Sequence, residues 1–171
     1  MSDWGATFYG DPCRECGFDW GLAQDEAVSL VRAMPGRYES ALRGRNTSSR
    51  HPDLGWTAGA YVCHVGDNFR IWGERLVGFS SEGGGRLARY DVDLLAQARV
   101  YESVPVNGSL WSLRSAVEDW LAAVEIATEA GVILDHPDRG PQTVTDVVRT
   151  NAHDAFHHEW DIRRSFPDAR P

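Results

Sequence analysis

The feature that most constrains the fold is a set of long stretches in which apolar residues recur every three or four positions. The clearest one, "GSLWSLRSAVEDWLAAVEIATEAG", covers residues 108–131. This spacing places the apolar side chains on one face of a helix: Leu110, Leu113, Val117, Trp120, Leu121 and Val124. Ser109 is the predicted N-cap of this helix, and Gly131 is its predicted terminating glycine.

Three further stretches predict long helices, namely residues 23–44, 56–79 and 143–166. Thr57 and Thr143 are predicted N-caps, and Pro35 predicts a kink or a break near Met34. A shorter helix is expected within residues 92–105, after a flexible glycine-rich link, and no strand pattern competes. Four long helices joined by connections of uneven length predict an all-α protein built on a four-helix bundle.

Length and composition predict one domain, with an irregular aromatic arm at residues 1–23 and a helical bundle at residues 24–166. A chain of 171 residues with 42% hydrophobic residues is large enough to bury a substantial core. The net charge of −8 argues against binding to nucleic acid. No run approaches the roughly 20 apolar residues of a membrane helix, and no signal peptide pattern is visible. We therefore expect a cytoplasmic protein with no membrane partner.

The strongest candidate for chemistry is "NAHDAFHHEWDIRR", which carries three histidines within six positions. His153 and His157 are four residues apart, so their side chains leave one helix face and could reach one metal ion. His158 is turned about 100° from His157 and is predicted to be a bystander or an outer partner. Asp161 continues the row and is a candidate for holding a ligand imidazole. Alone, this spacing is equally typical of a solvated helix face.

A third histidine lies in the middle of the predicted helix at residues 56–79. His64 stands between apolar neighbours, and Asp67 follows on its own face. Alone, such a histidine is more often a hydrogen-bonded core residue than a ligand. If this helix lies beside the last one, however, His64, His153 and His157 form a three-histidine site with open positions. Open positions favour catalysis, since structural zinc sites usually close all four.

With these residues in view, "WTAGAYVCHVGDNFRIWGERL" followed by "TVTDVVRTNAHDAFHHEWDI" resembles the DinB-like superfamily of metal-binding four-helix bundles. The resemblance covers residues 12–162, and "PCRECGFDW" looks like an N-terminal element of some bacterial members. It implies a divalent metal, zinc or nickel, held by His64, His153 and His157. Asp67, Arg149, Asp161 and His158 are the candidates for a catalytic role.

The superfamily includes thiol S-transferases that use mycothiol or bacillithiol. The resemblance therefore implies a thiol S-transferase or isomerase that acts on a small electrophile, with a mycothiol-type cofactor. It also implies a possible homodimer. Three alternatives stay open: a metal-dependent hydrolase, a non-catalytic metal-binding stress or accessory protein, and a metal-free interaction module.

Two further features have several interpretations. Cys13 and Cys16 form a CxxC that could be half of a metal site completed by Cys63 or a histidine, a labile disulfide, or two inert thiols. A packed structural turn is the favoured interpretation, because Gly17 and aromatic residues flank the pair. Arg149 could bind a carboxylate, although a solvated helix face is the commoner role for such an arginine.

Overall fold

The computed structural model describes residues 4–166, and its elements form a helical bundle with a small sheet. The elements in chain order are α1 (Trp4–Tyr9), α2 (Gln24–Leu42), α3 (Ala58–Ser80), β1 (Gly84–Arg86), α4 (Val92–Ala98), a short 3-10 helix (Tyr101–Ser103), α5 (Val106–Glu129), β2 (Ile133–His136), β3 (Gly140–Thr143) and α6 (Val144–Arg164). Helix α3 packs chiefly against α5, and α2 packs chiefly against α6. The predicted four-helix bundle is therefore confirmed.

The helix ends follow the predicted capping in three places out of four. Thr57 and Thr143 cap α3 and α6 through their side chains, and Gly131 follows α5 with a φ of +63°. The prediction for Ser109 is wrong, because α5 begins at Val106. The rigid φ of Pro105 suits the residue that precedes a helix, so the helix starts there and encloses Ser109.

Helix α2 continues through Pro35 without a break, so the break considered near Met34 does not occur. Pro35 removes one backbone hydrogen bond from the helix. It is nevertheless buried in the core, as are Val31, Met34 and Tyr38 around it. The burial of these apolar side chains offsets the missing hydrogen bond.

The three short strands are a second departure from the expectation. β1 pairs in parallel with β2, and β2 pairs antiparallel with β3. A side chain at Gly84 would lie 2.0 Å from the carbonyl oxygen of Ile133, and one at Gly85 would lie 2.3 Å from the Phe79 ring. These glycines predicted a flexible link, but they are required by the close approach of the Ile133 backbone and the Phe79 ring, which is why the strand was missed.

The N-terminal arm is more regular than predicted, since it contains the six-residue helix α1. The turns that follow bury Cys13, Phe18 and Trp20 against the bundle. Residues 1–3 of the predicted arm lie outside the described part of the chain. Within that part, no helix combines the length and apolar character needed to cross a membrane.

Trp120 forms the centre of the core where α3, α5 and α6 meet. It is completely buried, and its ring contacts Phe69 edge to face at 5.3 Å. Its Nε1 donates a hydrogen bond to Oδ1 of Asn151 at 2.9 Å, which ties α5 to the middle of α6. This bond fixes the helix that carries most of the candidate ligands.

Substituting Trp120→Ala is expected to lower the free energy of unfolding by about 3–5 kcal/mol, because it opens a large cavity and leaves Asn151 without its donor. Urea unfolding followed by circular dichroism measures this change. Trp111→Ala is the matched control, since Trp111 lies on the same helix and is 70% exposed. An equal loss in both variants would contradict the assigned core.

Candidate metal centre

Helix α6 carries two adjacent rows of candidate ligands, not one. Within "HDAFHH", His153 and His157 form one pair at a spacing of four residues, and Asp154 and His158 form a second. The rows are one residue apart, so they leave the helix about 100° from each other. They therefore face different partners in the fold.

The second row faces His64 on α3. The Nε2 of His64 lies 3.7 Å from Oδ1 of Asp154, and the Nε2 of His158 lies 3.7 Å from the same oxygen. These separations are too long for hydrogen bonds. Two atoms that each bind one ion at about 2.1 Å with tetrahedral angles are about 3.4 Å apart. The donor atoms, all within 4.8 Å of one another, are thus spaced as ligands of one ion.

Two of these three side chains are oriented by a hydrogen bond to the atom that is not the candidate ligand atom. Asn68 donates from Nδ2 to Oδ2 of Asp154 at 2.9 Å, which leaves Oδ1 directed at the histidines. The Nδ1 of His158 lies 2.8 Å from Oδ2 of Asp161. With Asp161 ionised, Nδ1 carries the proton and donates it, so Nε2 is the nitrogen left for a metal.

The charges around His158 favour a cation. Burial alone would raise the pKa of Asp154, but the neighbouring His158 and His64 outweigh burial and hold the pKa well below its usual range. Burial alone would lower the pKa of His158, but Asp154 and Asp161 outweigh it and raise the pKa. A positive charge is therefore stabilised between these two carboxylates.

Aromatic rings support the two histidines, while the carboxylate is more open. The rings of Trp56 and His64 lie 5.1 Å apart, and those of Tyr61 and His158 lie 4.8 Å apart. The side chain of His64 is 10% exposed, whereas that of Asp154 is 28% exposed. Asp154 is therefore the most exposed of the three side chains.

The first row of α6 faces the N-terminal arm. The candidate ligand atoms of His153, His157, Cys13 and Cys16 all lie within 4.8 Å of one another. The cysteines are free thiols, and Cys13 is buried. Burial lowers the pKa of His153 to about 4 and also lowers that of His157, while it raises the pKa of Cys16 to about 12.

The predicted set of His64, His153 and His157 is thus distributed over two groups. His64 lies with Asp154 and His158, whereas His153 and His157 lie with the cysteines. Within residues 4–166, these are the two groups of three or more candidate ligands with all donor atoms within 4.8 Å. The three-histidine set stays a prediction that variants can test.

Of the other candidate residues, Asp67 and Arg149 have partners outside the two groups, whereas Asp161 contacts His158 within one of them. Asp67 accepts a hydrogen bond from Tyr101 Oη at 2.5 Å and pairs with Arg99 Nε at 2.9 Å. Arg149 donates from Nε to the carbonyl oxygen of Leu22 at 2.7 Å and so holds the chain just before α2. Asp161 contacts His158 more closely than His157, whose Nε2 is 3.7 Å away.

Asp154 is the residue that the sequence analysis missed. Its signal was present, because Asp154 and His158 have the same four-residue spacing as His153 and His157. Aspartate is common on solvated helix faces, so the histidine pair dominated the interpretation. Only the direction in which α6 faces α3 distinguishes the two rows.

This arrangement of helices and ligands can now be compared with known proteins. The model of the DinB superfamily matches residues 29–162, which is most of the bundle. The chain belongs to the DinB superfamily. The resemblance found in the sequence is confirmed, and the arm that carries Cys13 and Cys16 lies outside the matched residues of this DinB chain.

A solved structure supports the fold of this DinB chain. YfiT from Bacillus subtilis is described as a probable metal-dependent hydrolase with an unusual four-helix bundle topology. The two are 19% identical with a TM-score of 0.74, over 83% of this chain and 85% of YfiT. A search of curated proteins finds no match to this DinB chain.

The hydrogen bond from His158 to Asp161 leads to a prediction. Substituting Asp161→Asn is expected to weaken zinc binding by about 10–100-fold, because the carboxylate no longer fixes the ring and its tautomer. Competition with a chromophoric chelator measures the affinity. Glu118→Gln removes a carboxylate on the exposed side of α5 and should leave the affinity unchanged. Equal affinities in both variants would show that Asp161 does not orient a ligand.

Proposed function

We propose that this chain is a divalent-metal-dependent enzyme whose ion is bound by His64, Asp154 and His158. The observation that carries the proposal is the convergence of three donor atoms with two of them oriented from behind, by Asn68 and Asp161. Outer partners of this kind are typical of metal ligands. Three protein ligands leave positions for water and substrate, which suits catalysis.

The types of donor atom indicate which metal the site would bind and which reaction that metal would support. Two imidazoles and one carboxylate suit zinc, and nickel binds similar ligands. A divalent ion at such a site acidifies a bound water or thiol and so supplies a nucleophile near neutral pH. Asp154 and the two histidines would hold the ion, and the aromatic rings beside them would limit the access of water.

Hydrolysis is the reaction that this geometry supports best. A set of two histidines and one carboxylate serves zinc hydrolases, whereas the site predicted from the sequence contained histidines alone. The description of YfiT as a probable metal-dependent hydrolase agrees with this choice. The substrate would be a small molecule with a polar carbonyl or phosphoryl group.

Transfer of a thiol to a small electrophile is the second candidate. It is supported by the resemblance of the His64 and His153–His158 segments to a superfamily that includes thiol S-transferases. The same ion would then bind sulfur in place of water.

Arg139 is the best candidate for contacting a substrate. Its guanidinium lies 4.2 Å from the centre of the Trp4 ring. Burial lowers the pKa of Arg139 on balance, while Tyr9 and Asp154 act in the opposite direction. We infer that Arg139 binds an anionic group of the substrate.

Metal loading followed by two activity panels tests the proposed function. Chelator-treated protein is supplemented with zinc or nickel and incubated with esters, amides and lactones, or with a mycothiol-type thiol and electrophiles. Mass spectrometry identifies the products. We expect metal-dependent turnover in one panel, its loss in His64→Ala, and normal turnover in His51→Ala, a loop histidine whose Nδ1 accepts from Asp53.

Three results would overturn parts of the proposal. Metal binding without turnover in either panel would favour a non-catalytic metal-binding protein. No metal binding under any condition would favour an interaction module. Turnover that survives in His64→Ala would show that the ion is not held on α3.

A further inference from the structure

The N-terminal arm folds the CxxC into a closed turn. The amide of Gly17 donates to the carbonyl of Cys13 at 2.9 Å, and the amide of Cys13 donates to the carbonyl of Phe18 at 2.8 Å. Gly17 has a φ of +76°, a conformation that glycine adopts without strain. This turn brings both thiols to the same side of the arm, toward α6.

The histidines that face this turn each bury an unpaired ring nitrogen. Among the described residues, neither Nε2 of His153 nor Nδ1 of His157 has a hydrogen-bond partner. Buried polar atoms without partners are rare in proteins, and each requires an explanation. One candidate donor atom from each of His153, His157, Cys13 and Cys16 lies within 4.8 Å of the others, and an ion bound by the two unpaired nitrogens would give both a partner.

The surroundings suit a closed structural site. The ring of His153 lies 4.6 Å from that of Tyr9 and 4.5 Å from that of Trp20, so its neighbours exclude water. The Nε2 of His157 lies 3.6 Å from a carboxylate oxygen of Glu15, so a negative charge faces the side of the ring opposite Nδ1. Four ligands complete a tetrahedral shell and leave no position for a substrate.

We propose that Cys13, Cys16, His153 and His157 bind a structural zinc ion that fastens the N-terminal arm to α6. Two cysteines and two histidines are a common set for structural zinc. The arm lies outside the residues matched by the family model. The ion is separate from the one proposed at His64, Asp154 and His158, and neither proposal depends on the other.

Cobalt substitution tests this site directly, because only thiolate ligands give a cobalt–sulfur charge-transfer band in the near ultraviolet. Wild-type protein purified under reducing conditions and loaded with Co²⁺ should show the band. The double variant Cys13→Ser, Cys16→Ser should lose it. Cys63→Ser should keep it, because Cys63 Sγ contacts Ser109 Oγ at 3.0 Å instead. His64→Ala should also keep it, even if the proposed activity is lost.

If the double variant does not fold, the zinc site can be tested on the wild-type protein by cysteine alkylation. Wild-type protein is loaded with zinc and treated with an alkylating reagent, and the modification of each cysteine is followed by mass spectrometry. Once a chelator is added, the alkylation rates of Cys13 and Cys16 should both rise, while the alkylation rate of Cys63 should not change. An absent cobalt band, a band that survives the double substitution, or alkylation that the chelator does not affect would overturn the proposal.

Discussion

Substituting His158→Ala is expected to abolish the metal-dependent activity and to weaken binding of the catalytic ion by more than about 100-fold. Loss of an outer partner alone costs about 10–100-fold, and loss of a ligand must exceed it. In the metal-free chain, the variant also removes the His158 charge that lowers the pKa of Asp154. Activity assays and chelator competition on the zinc-loaded variant measure the two effects.

His157→Ala is the informative comparison, because it replaces the neighbouring histidine on the same helix. If His64, Asp154 and His158 bind the ion, His157→Ala retains that ion and loses the cobalt–sulfur site instead. If the ligands are His64, His153 and His157, His157→Ala loses the catalytic ion and His158→Ala retains it. An inactive His157→Ala beside an active His158→Ala would therefore restore the three-histidine prediction.

Removing zinc from the site at Cys13 is expected to destabilise the chain strongly. A ligand present at about 1,000 times its dissociation constant stabilises the native state by about 4 kcal/mol. Urea unfolding with excess zinc and with excess chelator measures the difference. Loss of this ion leaves the buried nitrogens of His153 and His157 without a partner, so the arm is expected to detach first.

A control isolates the contribution of this ion from that of the catalytic one. His64→Ala should retain most of the zinc-dependent stabilisation, since Cys13 and Cys16 are unaffected. The double variant Cys13→Ser, Cys16→Ser should lose most of it. Equal stabilisation by zinc in the wild type and the double variant would contradict a structural role for the cysteines.

The sequence predicted the helices well because their signals are local. The apolar stripe of α5 and the caps at Thr57 and Thr143 depend on residues within a few positions of one another. The sheet was missed because its cause is not local. Gly84 and Gly85 are required by Ile133 and Phe79, and only the folded chain shows that approach.

The site was predicted in part for the same reason. The spacing within "HDAFHH" indicates a ligand-bearing helix, the position of His64 in a second helix predicted a third ligand, and the family resemblance agreed with it. Rotating a helix by one residue, however, exchanges the row of His153 for the row of Asp154. Periodicity cannot determine that rotation, which depends on how α6 packs against α2, α3 and the arm. The association of His153 with Cys13 likewise spans most of the chain.

The number of metal ions per chain tests the central claim that α6 contributes to two separate sites. Native mass spectrometry of zinc-loaded protein should show two ions in the wild type. It should show one ion in His64→Ala and one in the double variant Cys13→Ser, Cys16→Ser, with none when the substitutions are combined. A single ion in the wild type, removed by His64→Ala and retained by the cysteine variant, would contradict the two-site account.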